Sequence, residues 1–422
     1  MSFINELNDI IRSDTKSFGY EQEQMMMKTG FDSIDYLNGQ ITIKDDGTRI
    51  PNLGIDAGKI VTIIGKSGSG KSTLALQMAA NIIKKYDEGS MFVLDFEQSN
   101  TKDRIRNITG MSETYFNDHV TLKQTGISTN TVLRLVMQIR KLKMEHEKQL
   151  LVDNAEGVYD EDGKLRKILP PTVVVVDSLA MMMPDSQLDE EEIQGQMSAT
   201  SMAKANTQLF KRLVQPCQEA NIIMIFINHI NAKVQITLVP TQAQLNYLGQ
   251  DETLPGGNAC IYLCNTLIKI ITSTKLEEDK SYGIKGFEAK VQLLKSRTAP
   301  AGRYVNMIYN QREGFDQDLS MIDYLKSNGA IGGNGKAFFV QGMDDFKFRM
   351  ANVKEKMAAS PEFKEHVYKT ARALMQSSIS ESSKITVIEQ EPVPENIDEI
   401  ILSEVQEQFV ENVEAVGIDG QQ

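Results

Sequence analysis

Residues 65–72 read GKSGSGKS, an unbroken GxxxxGK[ST] pattern. Glycine lets the chain wrap tightly enough for consecutive backbone amides to converge on an anion. Gly65, Lys66, Ser67, Gly68, Ser69 and Gly70 would form that wrap, Lys71 would reach the outer phosphates of a nucleoside triphosphate, and the Ser72 hydroxyl would ligate Mg²⁺. An apolar run, KIVTIIG (59–65), precedes the motif, and a helical pattern, STLALQMAANIIKKY (72–86), follows it. Strand, loop and helix in that order separate a phosphate-binding loop from a chance glycine-rich turn, and the helix N-terminus adds a favourable field.

A triphosphate site also needs a carboxylate near its metal. Asp177 ends the apolar run TVVVVDS (172–178), where an α/β sheet binds ligands at the carboxyl ends of its strands. Glu97 follows the run SMFVLDFE (90–97) and is placed to orient or deprotonate an attacking water; the plainer reading is a surface carboxylate. Asn228 and His229 end IIMIFINH (222–229), where a polar group could sense a terminal phosphate, although a lone His is more often structural. Four strands ending in polar groups form a constellation that outweighs any one member.

These residues must be carried by alternating strands and helices. Helical patterns over 130–148 and 197–219 separate the apolar runs, and the runs themselves suit strands buried on both faces. Apolar runs at 261–271, 286–298 and 302–309 predict strands closing one sheet edge, with helices over 318–329 and 346–376. A polar insert at 40–53 predicts a hairpin around Asp46-Gly47, and a second insert occupies 152–170. LPGGNA (254–259) is a breaker cluster between a long polar stretch and the run at 261–271. The fold class that follows is α/β with a central, mostly parallel sheet.

Composition narrows the rest. No apolar run approaches the length of a membrane span, and no secretory leader is evident, so a cytoplasmic protein is expected. Three cysteines give no disulfide framework, and the CxxxC pair Cys260 and Cys264 lacks the partners of a zinc site. The net charge of −12 is concentrated: residues 381–422 hold eleven acids against one base, which leaves a nearly neutral body that does not exclude nucleic acid.

The chain resembles the RecA recombinase family, including its phage and UvsX-type members. TGFDSIDYLNG (29–39) looks like the family's TGxxxLDxxLG segment, VLDFE is similar to the strand bearing its catalytic glutamate, and VVVVDSLA matches its Walker B strand. FINHI resembles FINQI, LPGGNA resembles TGGNA, and LLKSRTAP resembles the lysine-rich segment before an Ala-Pro. The order and approximate spacing hold from about residue 5 to 376. The family has Gln where His229 stands, which would make phosphate sensing sensitive to pH, and a second Lys where Arg297 stands.

The resemblance implies a RecA-like P-loop ATPase core that binds ATP and Mg²⁺ through Lys71, Ser72, Thr73, Asp177 and His229, with Glu97 activating water. Lys295 and Arg297 would reach across a subunit boundary to the neighbouring γ-phosphate, in a head-to-tail helical filament. Mobile segments at 184–197 and 230–258 would face single- and double-stranded DNA, with Met197 or Leu238 as wedges, Lys211 and Arg212 adding charge, and Gly256, Gly257 and Asn258 at the phosphate-facing hinge. The acidic run DEEE (189–192) sits poorly with direct phosphate contact there. The domain expectation is a filament-assembly segment over 1–28, a core over 29–317, a small C-terminal domain over 318–376 and an acidic disordered tail over 377–422. A single-stranded-DNA-binding protein and a loading mediator are implied partners, in the cytoplasm of a bacterial or phage-infected cell. Two other readings are a hexameric replicative helicase on the same core and a non-catalytic ATP-binding mediator.

Overall fold

In the computed structural model, the residues described are 25–43, 49–159, 163–185, 196–232, 248–249, 252–278, 282–335 and 337–382. Expectations for 1–24, Asp46-Gly47, the DEEE run, Leu238 and the tail beyond 382 lie outside them. Among the described residues, nine strands form the central sheet: β1 (Ile60–Gly65), β2 (Ser90–Asp95), β3 (Val120–Lys123), β4 (Thr172–Asp177), β5 (Ile222–His229), β6 (Thr266–Leu276), β7 (Gly286–Lys295), β8 (Tyr304–Asn310) and β9 (Gly314–Asp316). Their spatial order is β9-β8-β7-β6-β1-β5-β4-β2-β3. The neighbours from β6 through to β3 pair parallel, and β6 to β9 pair antiparallel, so the mostly parallel sheet is closed on one side by a meander.

The valine run explains why this sheet is internal. Successive strand residues point to opposite faces. Val173 and Val175 join one apolar cluster with Val61, Ile63 and Ile225, while Val174 and Val176 join another with Ile60, Ile64 and Phe226. Helix α1 (Lys71–Ile83) is buried along nearly its whole length in the first cluster. Helices α2 (Thr129–Glu145) and α3 (Gln196–Glu219) cover the opposite face. Each buried Val or Ile contributes about 1.5–3 kcal/mol, so the strands whose ends carry polar groups are also the most firmly seated. A third cluster forms among α4 (Gln317–Ser327), α5 (Pro361–Ser382) and the short helix Asp32–Leu37.

The polar insert at 40–53 is a hairpin, with Gln40–Ile43 antiparallel to Arg49–Asn52. Two expectations need correction. The run at 261–271 is not one strand: Ala259–Tyr262 makes a helical turn, and the strand begins at Thr266. Cys260, Ile261 and Cys264 are buried at helical spacing, a pattern that a short apolar run does not separate from a strand. The helix expected over 346–376 is divided at Ser360, where Pro361 opens α5 and the Ser360 hydroxyl accepts from the Phe363 amide at 3.2 Å.

Candidate nucleotide site and the basic edge opposite it

The loop at 65–70 leaves β1 at the carboxyl edge of the sheet. Gly65 lies opposite His229 of β5 on one side and Ile270 of β6 on the other. A Cβ at Gly65 would stand 2.6 Å from the Ile270 carbonyl oxygen and 2.7 Å from Ser69 Oγ, so only glycine fits that crossing. Gly70 has φ +86° and caps α1, a left-handed conformation that frees the first amides of the helix to face an anion. Lys66, Ser67 and Gly68 are exposed at the crest. Lys71 is buried, its Nζ donating to the Lys66 carbonyl at 2.8 Å; burial lowers its pKa, opposed by the negative charges of Asp177 and Glu97. Thr73 is buried in the first turn of the helix, its methyl beneath Gly314 of β9.

Asp95 and Asp177 are level with each other at the ends of β2 and β4, both buried. Burial raises the pKa of Asp177, opposed by hydrogen bonds from Ser72 and Asn100, and its Oδ1 has no hydrogen-bond partner. Asp95 Oδ2 accepts from the Asn100 amide at 2.8 Å and from Gln124 Nε2 at 2.9 Å. Glu97 Oε1 accepts twice, from Ser178 Oγ at 2.5 Å and from His229 Nε2 at 2.7 Å. Burial pushes the Glu97 carboxyl up, but those two hydrogen bonds, with the charges of His229 and Lys71, hold it below its ordinary value. Glu97 is therefore ionised, and the imidazole Nε2 carries the hydrogen.

Around the breaker cluster, Asn228 Nδ2 donates to the Pro255 carbonyl at 3.0 Å and Asn206 Nδ2 to the Gly256 carbonyl at 2.9 Å. Gly256 and Gly257 have φ of +76° and +86°. The turn is thus bolted to the end of β5 and to the middle of α3. Asn258 caps Ala259–Tyr262 by position alone, with no capping hydrogen bond to its side chain. Met197 lies in the first turn of α3 with its side chain outside the described residues. Arg212 and Lys211 are exposed, and Arg212 is six residues past Asn206, about 9 Å along the helix. The structure does not bring Arg212 to the glycine turn.

Lys295 and Arg297 stand at the other edge. Lys295 pairs with Leu267 near the start of β6, whereas the residue of β7 level with Gly65 is Val291. Four residues of strand, about 13 Å, separate them. Lys295 Nζ donates to the carbonyls of Ile261 and Tyr262 at 2.9 and 2.6 Å, and burial lowers its pKa. Arg297 is exposed beside Lys59, whose Nζ donates to Gln218 Oε1 at 2.6 Å. Lys143 of α2 pins the same edge by donating to the carbonyls of Pro170 and Ala220 at 2.6 and 2.9 Å; burial pushes its pKa down to about 7.

Sequence reasoning missed Ser178, Asp95, Asn100 and Asn206. Ser178 and Asp95 sat within quoted motifs, one residue after Asp177 and two before Glu97, and strand register was the signal that could have found them. Ser72 and Asp177 suit Mg²⁺: a hydroxyl bonded to a buried carboxylate with one orphaned oxygen is a hard oxygen pair, and this ion takes its other ligands from phosphates and water.

The loop, the buried carboxylates and their place at the carboxyl edge of a parallel sheet define a P-loop ATPase core. A family model for the RecA N-terminal domain matches residues 138–316, and one for ABC transporters matches 49–169, the stretch holding the phosphate loop. Relatives include Protein RecA of Sulfurovum sp., 26% identical over 74% of this chain and 77% of that protein. Protein RecA of Staphylococcus epidermidis is 24% identical over 87% and 90%, and that of Rickettsia africae 23% over 82% and 84%. The chain is similar to RecA proteins over most of its length, at low identity. Among the described residues no helix is long and apolar enough to cross a membrane.

Proposed function

We propose that the chain is an ATP-dependent recombinase that assembles head-to-tail on single-stranded DNA, tests a duplex for homology and exchanges strands. What carries this reading is the separation of charges: the anion-binding loop lies at one edge of the sheet and Arg297 at the opposite one. A cation that far from its own loop would serve a triphosphate only in a neighbouring copy, and a head-to-tail contact of that kind builds a filament where it does not close into a ring.

Within one copy, the loop amides and Lys71 would hold the phosphates, and Ser72 and Asp177 would hold Mg²⁺. The bound ion would neutralise charge between the phosphates. Glu97, with Oε1 held by Ser178 and His229, would present Oε2 to the attacking water. Its lowered pKa keeps it ionised and orients the water more than it abstracts a proton. His229 touches Glu97 and heads toward the glycine turn through Asn228, so a phosphate that draws the imidazole away would alter the base and the turn together. The segments at 184–197 and 230–258 would face DNA, and the acidic residues beyond 382 would compete with it for basic surface. A cytoplasmic setting, a phage origin and partnership with a single-strand-binding protein and a loading mediator belong to the same reading.

The test is a strand-exchange assay with homologous and heterologous duplexes, using Lys71→Ala as control. Product from the homologous duplex alone, dependent on ATP and lost in the variant, is expected. Rings and unwinding in place of filaments and exchange would overturn the proposal.

A further inference from the structure

The insert at 152–170 folds as a hairpin. Val152–Asp153 pairs antiparallel with Lys167–Ile168, and Tyr159 bridges to Leu165 nearer the tip. It is anchored to its own core by buried polar groups. Glu156 Oε1 accepts from Lys85 Nζ at 2.6 Å and from the Lys28 amide at 3.1 Å, and the buried Asn154 Oδ1 accepts from the Glu156 amide at 2.7 Å. Beyond that anchor the hairpin exposes Tyr159 and Leu165, with Tyr159 61% accessible. Apolar side chains held out on a rigid base have no role in the fold of a single copy.

The hairpin also walls a cleft of about 520 Å³ at the amino edge of the sheet. Arg166 and Lys167 line it together with Lys59 and Arg297. Two acids, Glu147 and Glu219, line it as well, but Glu219 is paired with Arg140, so the cleft is net cationic. Lys167 pairs with Asp153 at 2.6 Å, both side chains more than half exposed, a contact of little energy that a stronger anion can displace. Met25, where the described chain begins, lines the cleft too.

We propose that this hairpin is an interprotomer element: the side chains of Tyr159 and Leu165 pack against the next copy of the chain, and Arg166 and Lys167 stand with Arg297 against that copy's nucleotide phosphates. The occupant is a second copy because the cleft includes Arg297, which no nucleotide in its own copy can meet, and because aromatic and arginine side chains together are typical of protein interfaces. The inference rests on the shared-site reading of Arg297 given above and adds a second source of positive charge to it.

The experiment is a mixing assay. Without DNA, where the copies are unassembled, the double variant Arg166→Ala, Lys167→Ala binds a fluorescent ATP analogue as the unaltered protein does, and on single-stranded DNA it hydrolyses ATP at least ten-fold more slowly. Lys71→Ala lacks a working loop but keeps its basic edge, so an equimolar mixture turns over faster than the sum of the two variants alone. The charge-conserving pair Arg166→Lys, Lys167→Arg retains most of the activity. An undiminished rate, or a loss that mixing does not relieve, overturns the proposal. So does a loss that tracks weaker DNA affinity with a shallower salt dependence, which would make the cleft a nucleic-acid groove. Arg297→Ala mixed with Lys71→Ala is the reference. If that mixture also stays inactive, the shared-site reading itself fails; if it recovers while the hairpin variant does not, the hairpin inference alone fails.

Discussion

The two edges of the central sheet carry opposite charges in opposite states of preparation. At the carboxyl edge the groups are bonded to one another before any ligand arrives: Ser178 and His229 hold Glu97, Asn100 and Gln124 hold Asp95, and Lys71 rests on a carbonyl of its own loop. At the amino edge Lys295 and Lys143 are committed to backbone carbonyls, while Arg297 and Lys167 are exposed. One edge is organised to receive a triphosphate within a copy, and the other presents cations outward. If Arg297 meets a neighbouring copy's triphosphate, as proposed, hydrolysis and assembly need not be distinct devices, because a site split between edges would be completed only by association.

The sharpest break between the edges should come from Glu97→Gln. The amide keeps an acceptor for Ser178 and His229 but loses the negative charge that orients water. Turnover on DNA should fall by about 10²–10⁴-fold, with nucleotide affinity nearly unchanged. A parallel loss of affinity would show that Glu97 supports the loop instead of the chemistry.

Arg297→Ala and Lys295→Ala divide the amino edge next. Each should lower turnover by about 10²-fold if it meets a neighbour's phosphates. Only Lys295→Ala should also lower the melting temperature, since it leaves two carbonyls, those of Ile261 and Tyr262, without their donor, a cost of about 1–3 kcal/mol. Equal melting temperatures with unequal rates would mean that Lys295 is spare and Arg297 alone faces outward.

The carboxyl edge was largely legible in the sequence, because its signals are local. A glycine pattern between strand and helix, and acids at the ends of apolar runs, are written within a few residues of each other. The amino edge was not. That Lys295 and Arg297 lie away from the loop follows from the register of β7 on β6, and a hairpin at 152–168 meets Arg297 only through tertiary packing. Ser178 escaped notice for the same reason: its partner is 81 residues away. The helical turn at Ala259–Tyr262 was misread because apolar residues at one short spacing serve a strand or a helix equally well.

Gly257 tests whether the turn between the edges transmits anything. A side chain there would meet Ala203 Cβ at 2.9 Å, and φ of +86° is poor for a β-branched residue, so Gly257→Val should cost about 1–3 kcal/mol locally. DNA affinity should fall more than ATP affinity. Equal losses would reduce LPGGNA to the end of a loop.

Asp35 supplies a control whose hydrogen bonds involve neither edge. It is buried, accepts from the amide and hydroxyl of Thr29 at 2.7 Å each, and burial raises its pKa to about 7 against those hydrogen bonds. A carboxyl whose folded pKa exceeds its unfolded value costs nothing at acid pH, where both states are protonated. The cost grows as pH rises from about 4 and levels off above about 7. Asp35→Asn keeps an acceptor for Thr29 without the charge. It should therefore be more stable than the unaltered protein at pH 8, by on the order of 2–4 kcal/mol, and the two unfolding curves should converge by pH 4. ATP turnover at 25 °C should not change. A change in turnover larger than two-fold would mean that the segment before the sheet is coupled to one of its edges after all.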